Sequence, residues 1–305
     1  MTGGWTRRSA IGAGLALSAG LSRARAANLN LTGDISPVHD PCIIFADGLY
    51  HVFCTSRMAP GRGLIDWRTS PDLTQWTLRG QVLAALPEWV SELIPDTRGV
   101  WAPDISYVKG RYRLYYACSL FGENRSVIGL VSTQSLDPAH PQFGWRDDGQ
   151  VLQSRDGDRF NAIDPNRFED QEGRQWLAFG SFWDGIMLSE LDPASLKPKD
   201  SRAPVRLAVR ADHAIEAPFL IFRNGWYYLF ASCEFCCRGA NSTYFTIAGR
   251  SRHVEGPYLG PNDQPMLAGG GLNVLDANHE PSGFKGPGHC AILQTPERDL
   301  IVYHA

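Results

Sequence analysis

Asp40, Asp164 and Glu216 stand beside prolines at the start of apolar segments, in Asp40-Pro41-Cys42, Asp164-Pro165-Asn166 and Glu216-Ala217-Pro218. Asp104, in Ala102-Pro103-Asp104, and His289, in Gly288-His289, punctuate two further segments of the same kind. Paired carboxyl groups are the requirement of glycoside hydrolysis: one acid protonates the leaving oxygen while a second carboxylate activates water or attacks. Crowding several carboxyls raises the pKa of at least one, which keeps an acid protonated near neutral pH. A single Asp-Pro is most often a turn residue. Its recurrence in a repeat argues for a shared task.

The repeat supplies the elements that bring these residues together. DPCIIFADGLYHVFCTS, APDISYVKGRYRLYYACS, DPNRFEDQEGRQWLAFGS, EAPFLIFRNGWYYLFASC and GHCAILQTPERDLIVYHA share one design. Each has a punctuating residue, an apolar strand, a tight polar turn and a second strand rich in aromatics. Pro41, Pro103, Pro165 and Pro218 recur at 62, 62 and 53 residues, and His289 lies 71 beyond Pro218. Periods of this size mean a propeller or a solenoid. Five units predict an all-β, five-bladed β-propeller with inner strands converging on a central channel. The last unit stops at His304-Ala305, just as its second strand ends, so the fifth blade is expected to be incomplete and the chain a truncated form.

Composition agrees. The chain has 305 residues, 31 glycines, 20 prolines and 11% aromatics, which suits short strands and turns better than long helices. Net charge is −3, and removing residues 1–26, with four arginines and no acid, leaves −7. Such a chain repels phosphate, so no nucleic acid and no membrane is expected as partner. Arg7-Arg8 precede a short apolar run and Ala24-Arg25-Ala26, the pattern of a twin-arginine export signal. The boundaries are therefore 1–26 for the export signal and 27–305 for a single catalytic propeller, exported to the periplasm or outside the cell. Seven cysteines lack paired CxxC spacing and read as core residues, with a disulfide between adjacent Cys236 and Cys237 as the minority alternative.

VHDPCII, GVWAPDIS, NAIDPNRF, GSFWDGI, IEAPFLIF, FCCRGANSTY and GPGH, in this order, resemble the endo-arabinanases of glycoside hydrolase family 43. The resemblance runs from about Ser36 to the last residue. It implies hydrolysis of α-1,5-linked arabinan with inversion, Asp40 as general base, Glu216 as general acid and Asp164 as the carboxylate that tunes the acid. It further implies that Asn161 and Ser181 hydrogen-bond the sugar, and that His289 faces a calcium ion held mostly by water. Imidazole alone is an unusual calcium ligand. Trp101, Phe121 and Trp183 flank these motifs as candidate furanose-stacking platforms, and Gly122 would let substrate approach the backbone. The other histidines, His39 and His304 among them, have no metal spacing and read as structural or exposed. The expected partner is plant cell-wall arabinan or its oligosaccharides, met by a monomer. Two departures stand out. Family members continue well past the positions of Tyr303-His304, and Cys290 follows His289 where a polar residue is expected.

Three other readings compete. A β-xylosidase or α-L-arabinofuranosidase of the same family would share the carboxylates, but FCCRG and GSFW favour the arabinanase branch. A non-catalytic carbohydrate-binding propeller need not keep all three carboxylates. A retaining fructan hydrolase would carry a WxNDP motif where SPVHDP stands. Nothing suggests a nucleotide, haem or flavin.

Overall fold

The computed structural model describes residues 29–199, 201–278 and 283–305, so the proposed export segment lies outside the described residues. The chain is an all-β propeller. Blade 1 comprises Cys42–Ala46, Leu49–Cys54, Leu64–Ser70 and Gln75–Leu83, with Thr32–Gly33 added parallel to its outer edge. Blade 2 comprises Gly99–Val108, Arg111–Ser119, Ser126–Thr133 and Arg146–Ser154, with Ser56–Arg57 paired beside its inner strand. Blade 3 runs Asn166–Glu169, Gln175–Phe179, Ile186–Leu191 and Val205–Ala208; blade 4 runs Ile215–Arg223, Trp226–Cys233, Phe245–Ser251 and Leu272–Leu275.

Among the described residues there are four complete blades rather than a ring of five, and the fifth blade, expected to be incomplete, is present only as a hairpin. The fifth unit is one two-stranded sheet, Gly288–Gln294 with Asp299–His304. The long stretch after Ser251 goes to short 3₁₀ turns and to the outer strand of blade 4, Leu272–Leu275, and among the described residues no further strand pairs with the fifth hairpin.

Local chemistry explains the inner hairpins. Asp47-Gly48, Lys109-Gly110 and Asn224-Gly225 join the first two strands of units 1, 2 and 4, each with positive φ at both residues. Those conformations match the twist of a two-residue hairpin, and Asp, Asn and Gly tolerate them best. At the other end of the inner strand a second backbone feature repeats. Asp40, Ala102, Asp164, Ala217 and His289 all have positive φ, between 43° and 56°. Proline follows the first four and removes a ladder donor. The ladder accordingly breaks between Trp101 and Asp104, between Glu216 and Phe219, and between Gly288 and Ala291. The two unpaired residues bulge out, re-aiming the side chains around them.

These bulges also tie each unit to the next. The Ala102 amide donates to Thr55 Oγ1 at 2.8 Å, the Arg167 amide to Asp104 Oδ2 at 2.8 Å, and the Ala217 amide to Asp164 Oδ2 at 3.1 Å. The His289 amide donates to Ser232 Oγ at 2.8 Å, and the Asp40 amide to His304 Nδ1 at 3.0 Å. Five clasps thus run right around the inner ring, with the two-stranded unit bridging blades 4 and 1. Apolar cores fill the gaps: Leu64, Phe53 and Tyr116 between blades 1 and 2, Tyr115, Phe179 and Leu196 between blades 2 and 3, and Trp176, Leu229 and Tyr258 between blades 3 and 4.

Candidate active site

The bulges place Asp40, Asp164, Glu216 and His289 in one buried cluster at the mouth of the channel. They are not in one phase of the repeat. Asp40, Asp164 and His289 occupy the positive-φ position, whereas Glu216 precedes its own, Ala217. Asp104 sits two residues beyond Ala102 and turns away. Its carboxylate accepts the Asn166 amide NH₂ at 3.0 Å and the Arg167 backbone N–H at 2.8 Å, so it is an inter-blade clasp. Grouping Asp104 with the converging carboxyls at sequence level is thereby corrected.

Asp40 has the densest surroundings. Thr55 Oγ1 donates to its Oδ2 at 2.5 Å, His39 Nδ1 lies 2.8 Å from Oδ2, and His289 Nδ1 lies 3.1 Å from Oδ1. Burial alone would raise this carboxyl, but the His289 and His39 cations hold it well below the usual carboxylate range. Reciprocally, His289 rises to about 9: burial opposes the charge, and Asp40, Asp164 and Glu216 outweigh burial. His39 is raised as well, Asp40 again outweighing burial. His304 behaves oppositely. Burial, together with the neighbouring His39 and His289 cations, pushes it down to about 3. A neutral His304 ring accepts the Asp40 amide through Nδ1 and stacks on His39 at 3.9 Å, so its 3.4 Å approach to the Asp40 carboxylate is not an ion pair.

Asp164 is raised to about 7, chiefly by burial, with Glu216 and Asp40 adding repulsion against the pull of His289. Glu216 is the most exposed of the three carboxyls. Its Oε2 accepts from Ser181 Oγ and its Oε1 from the Tyr244 hydroxyl, both at 2.7 Å. One carboxyl is therefore held ionised by cations, one holds its proton to about neutrality, and one is oriented by two hydroxyls.

The remaining expected site residues divide. Phe121, 81% exposed, and Gly122, with φ 83° and open space around it, form a turn after the second strand of blade 2. Trp101 is half-buried beside the blade 2 ladder break and packs on the core shared with blade 3. Trp183, also half-buried with positive φ, touches His213 through its carbonyl. Asn161 is buried and its carbonyl accepts from Ser126 Oγ at 2.6 Å. Ser181 is spent on Glu216. Asn161 Oδ1 and the Ser181 hydroxyl are thus both engaged within the protein.

His39, Thr55, Tyr244 and His304 were not legible as site residues. One signal was present: a small hydroxyl closes the second strand in the first four units, at Thr55, Ser119, Ser181 and Ser232, where the fifth has His304. The minority alternative for the adjacent cysteines is the one present, since Cys236 and Cys237 form a disulfide, and Cys237 Sγ lies 3.5 Å from His39 Nε2. Cys42, Cys54, Cys118, Cys233 and Cys290 are buried thiols.

For a metal, His289 offers one nitrogen. Its Nδ1 is engaged by Asp40, which leaves Nε2, the arrangement in which a carboxylate orients an imidazole ligand. The clusters of three donors among the described residues, His39 with Cys236 and Cys237 and His39 with Asp40 and His304, do not include it. The donor set fits a cation held by this imidazole with water in its other positions, and does not form a calcium cage of protein oxygens.

Residues 35–305 match the sequence profile of "Glycosyl hydrolases family 43". The chain belongs to this family. It is 39% identical over 269 residues to an extracellular endo-α-(1→5)-L-arabinanase of Bacillus subtilis, covering 88% of this chain and 80% of that protein. It is 36% identical to an extracellular exo-α-(1→5)-L-arabinofuranosidase of Cellvibrio japonicus, covering 88% and 78%. Among solved structures, an exo-1,5-α-L-arabinanase from a bovine ruminal metagenomic library superposes with a TM-score of 0.79 at 41% identity, covering 88% of this chain and 87% of the other. The family 43 membership accounts for the carboxyl cluster as glycosidase machinery and removes the fructan-hydrolase alternative.

Proposed function

We propose that the chain is an arabinan endo-1,5-α-L-arabinosidase that inverts the anomeric centre. The observation that carries this reading is the convergence of differently dressed carboxyls, Asp40 against His39, His289 and Thr55 and Glu216 against Ser181 and Tyr244, with burial pushing Asp164 up to about 7 between them. Asp40 is the general base: an ionised carboxylate fixed by Thr55, His39 and His289 takes a proton from the attacking water. Glu216, the half-buried and least enclosed of the three carboxyls, donates a proton to the leaving oxygen. Ser181 and Tyr244 fix its rotamer, and Asp164 keeps a proton in its immediate vicinity. Trp101, Phe121 and Trp183 supply apolar faces for furanose rings. Asn161 and Ser181 act on substrate through the groups they position. His289 would hold the calcium ion through Nε2 once that nitrogen gives up its proton, Nδ1–H staying on Asp40, so that the ion would supply the positive charge the imidazolium otherwise carries. The two-stranded unit is the inner half of a fifth blade, and the export segment sends the enzyme out of the cytoplasm, as the extracellular relatives suggest.

Incubating the chain with linear α-1,5-arabinan and following the first product by proton NMR tests this. An initially inverted anomer is expected. A retained one would remove Asp40 from the role of base, since a nucleophile would then be required. A second reading, release of short products from chain ends, is favoured by the exo-acting names of the Cellvibrio relative and the ruminal structure. A fall in viscosity well ahead of sugar release supports endo action; parallel change supports exo.

A further inference from the structure

The far ends of the inner hairpins, opposite the carboxyl cluster, carry a second recurring feature. Phe45 pairs with Tyr50 across the first hairpin, and Tyr107 with Tyr112 across the second, at ring distances of 4.7 and 4.8 Å. Phe222 and Tyr227 hold the same place in blade 4, at 4.8 Å. There the pair is used up in packing: Tyr227 is 4% exposed and takes Phe168 of blade 3 edge-on at 5.9 Å. In blades 1 and 2 the inner ring, Tyr50 or Tyr112, packs on the shared core, while its partner lies open. Phe45 is 52% and Tyr107 57% exposed.

A cleft of about 260 Å³ opens beside the Asp47-Gly48 turn that bears the first pair, lined by Asp47, His51, Trp67, Thr69, Arg79 and Asp137. Its hydrogen-bonding groups are partly unspent. Arg79 uses only Nε, on Thr69 Oγ1, and among the described residues nothing hydrogen-bonds the Asp47 carboxylate. Asp137 uses one oxygen on the Ala139 amide. Asp47 also lies near the second pair, since its charge joins burial in raising the Tyr112 hydroxyl. About seven residues of chain, roughly 20 Å if extended, separate Asp47 from Asp40.

We propose that this cleft, with the open rings of Tyr107 and, across the tip of the first hairpin, Phe45, forms a second oligosaccharide site, on the face opposite the catalytic carboxyls, that holds a strand of neutral polysaccharide. One guanidinium and two carboxylates lining the same cleft suit hydroxyl groups, which donate and accept, and disfavour a polyanion. Tilted, exposed Phe and Tyr rings suit the C–H faces of sugars. The ligand rests on the arabinan reading above: the site takes α-1,5-arabinan, keeping the polymer near the enzyme while another segment is cut.

Calorimetric titration of linear α-1,5-arabinohexaose into the full-length Glu216→Gln chain tests the site while hydrolysis is suppressed. Two classes of site are expected. Joint Phe45→Ala and Tyr107→Ala replacement should weaken one class about 5- to 10-fold and leave the other unchanged. Asp47→Asn, which keeps the positive-φ turn, should weaken the same class. In the otherwise wild-type enzyme, the aromatic replacements should raise KM on polymeric arabinan and leave arabinotriose hydrolysis unaltered. A single class, indifferent to Phe45, Tyr107 and Asp47, overturns the site and leaves the arabinan reading standing. Absence of both binding and wild-type hydrolysis overturns the two together.

Discussion

Asp40 and Asp104 are both buried aspartates on inner strands, and both take part in clasping one unit to the next. At the junction of the fifth unit with blade 1, Asp40 faces two histidine cations and a hydroxyl and stays ionised far below the usual range. Where blade 2 meets blade 3, Asp104 faces an amide NH₂ and a backbone N–H, and burial raises it to about 7. Neutral donors do not offset the loss of water around a charge, whereas nearby cations do. Two aspartates on neighbouring inner strands can thus take opposite charge states according to whether cations or neutral donors stand beside them.

The sharpest break of this comparison is to neutralise each acid in turn. Asp40→Asn should lower kcat on linear arabinan by ~10²–10⁴, the usual worth of a positioned proton acceptor. Asp104→Asn should leave kcat within about threefold. The first variant should also bring the His289 pKa down from about 9 towards 6.5 or below, because its principal counter-charge is gone. Histidine NMR titration reads this directly. An unmoved His289 would mean that the charge at this junction is not set by Asp40.

A smaller effect should appear in the pH profile. Asp164 keeps its proton to about pH 7, so the acid side of the pair is supplied below that value and depleted above it. We expect kcat/KM to fall by up to about tenfold per pH unit above ~7. Asp40 stays ionised across the neutral range, so the acid limb should not begin until well below pH 5. Replacing Asp164 with Asn should displace the alkaline limb. If the limb stays put, the proton comes from elsewhere and Asp164 only shapes the site.

How much of this could be read from the chain follows the same division. The repeat was legible because proline and the Asp-Gly or Asn-Gly turns are local signals of backbone shape, and they recur at Pro41, Pro103, Pro165 and Pro218. Convergence of Asp40, Asp164 and Glu216 followed from that shape. The separate fate of Asp104 did not, because it depends on Asn166 and Arg167, 62 and 63 residues away. Still less legible was His304, whose contact with Asp40 spans 264 residues and closes the ring. Ser181 and Asn161 were marked for sugar, yet their hydrogen bonds go to Glu216 and Ser126, partners that only tertiary packing supplies. The five hairpins, the unfinished fifth unit among them, are visible because each carries this punctuation; the outer strands carry none.

The smallest expected effect is on stability, and it tests the Asp104 half of the comparison. The Asp104→Asn side chain keeps one acceptor oxygen in place of two, so either the Arg167 N–H or the Asn166 amide loses its partner. Asn166 cannot simply flip, because its own Oδ1 holds the Leu220 amide at 2.8 Å. One lost buried hydrogen bond should cost about 1 kcal/mol. The sign of the pH dependence follows from the raised value. Asp104 moves from 3.8 to about 7 on folding, so the stability it contributes is fully present below pH ~4 and drains away as pH rises through 7. The Asp104→Asn variant has no such slope. Urea unfolding of both proteins between pH 4 and 8 should therefore show the variant weaker in acid and the gap closing, or reversing, towards pH 8. A gap of constant size would mean that Asp104 is ionised throughout. The contrast with Asp40 would then lie in geometry alone.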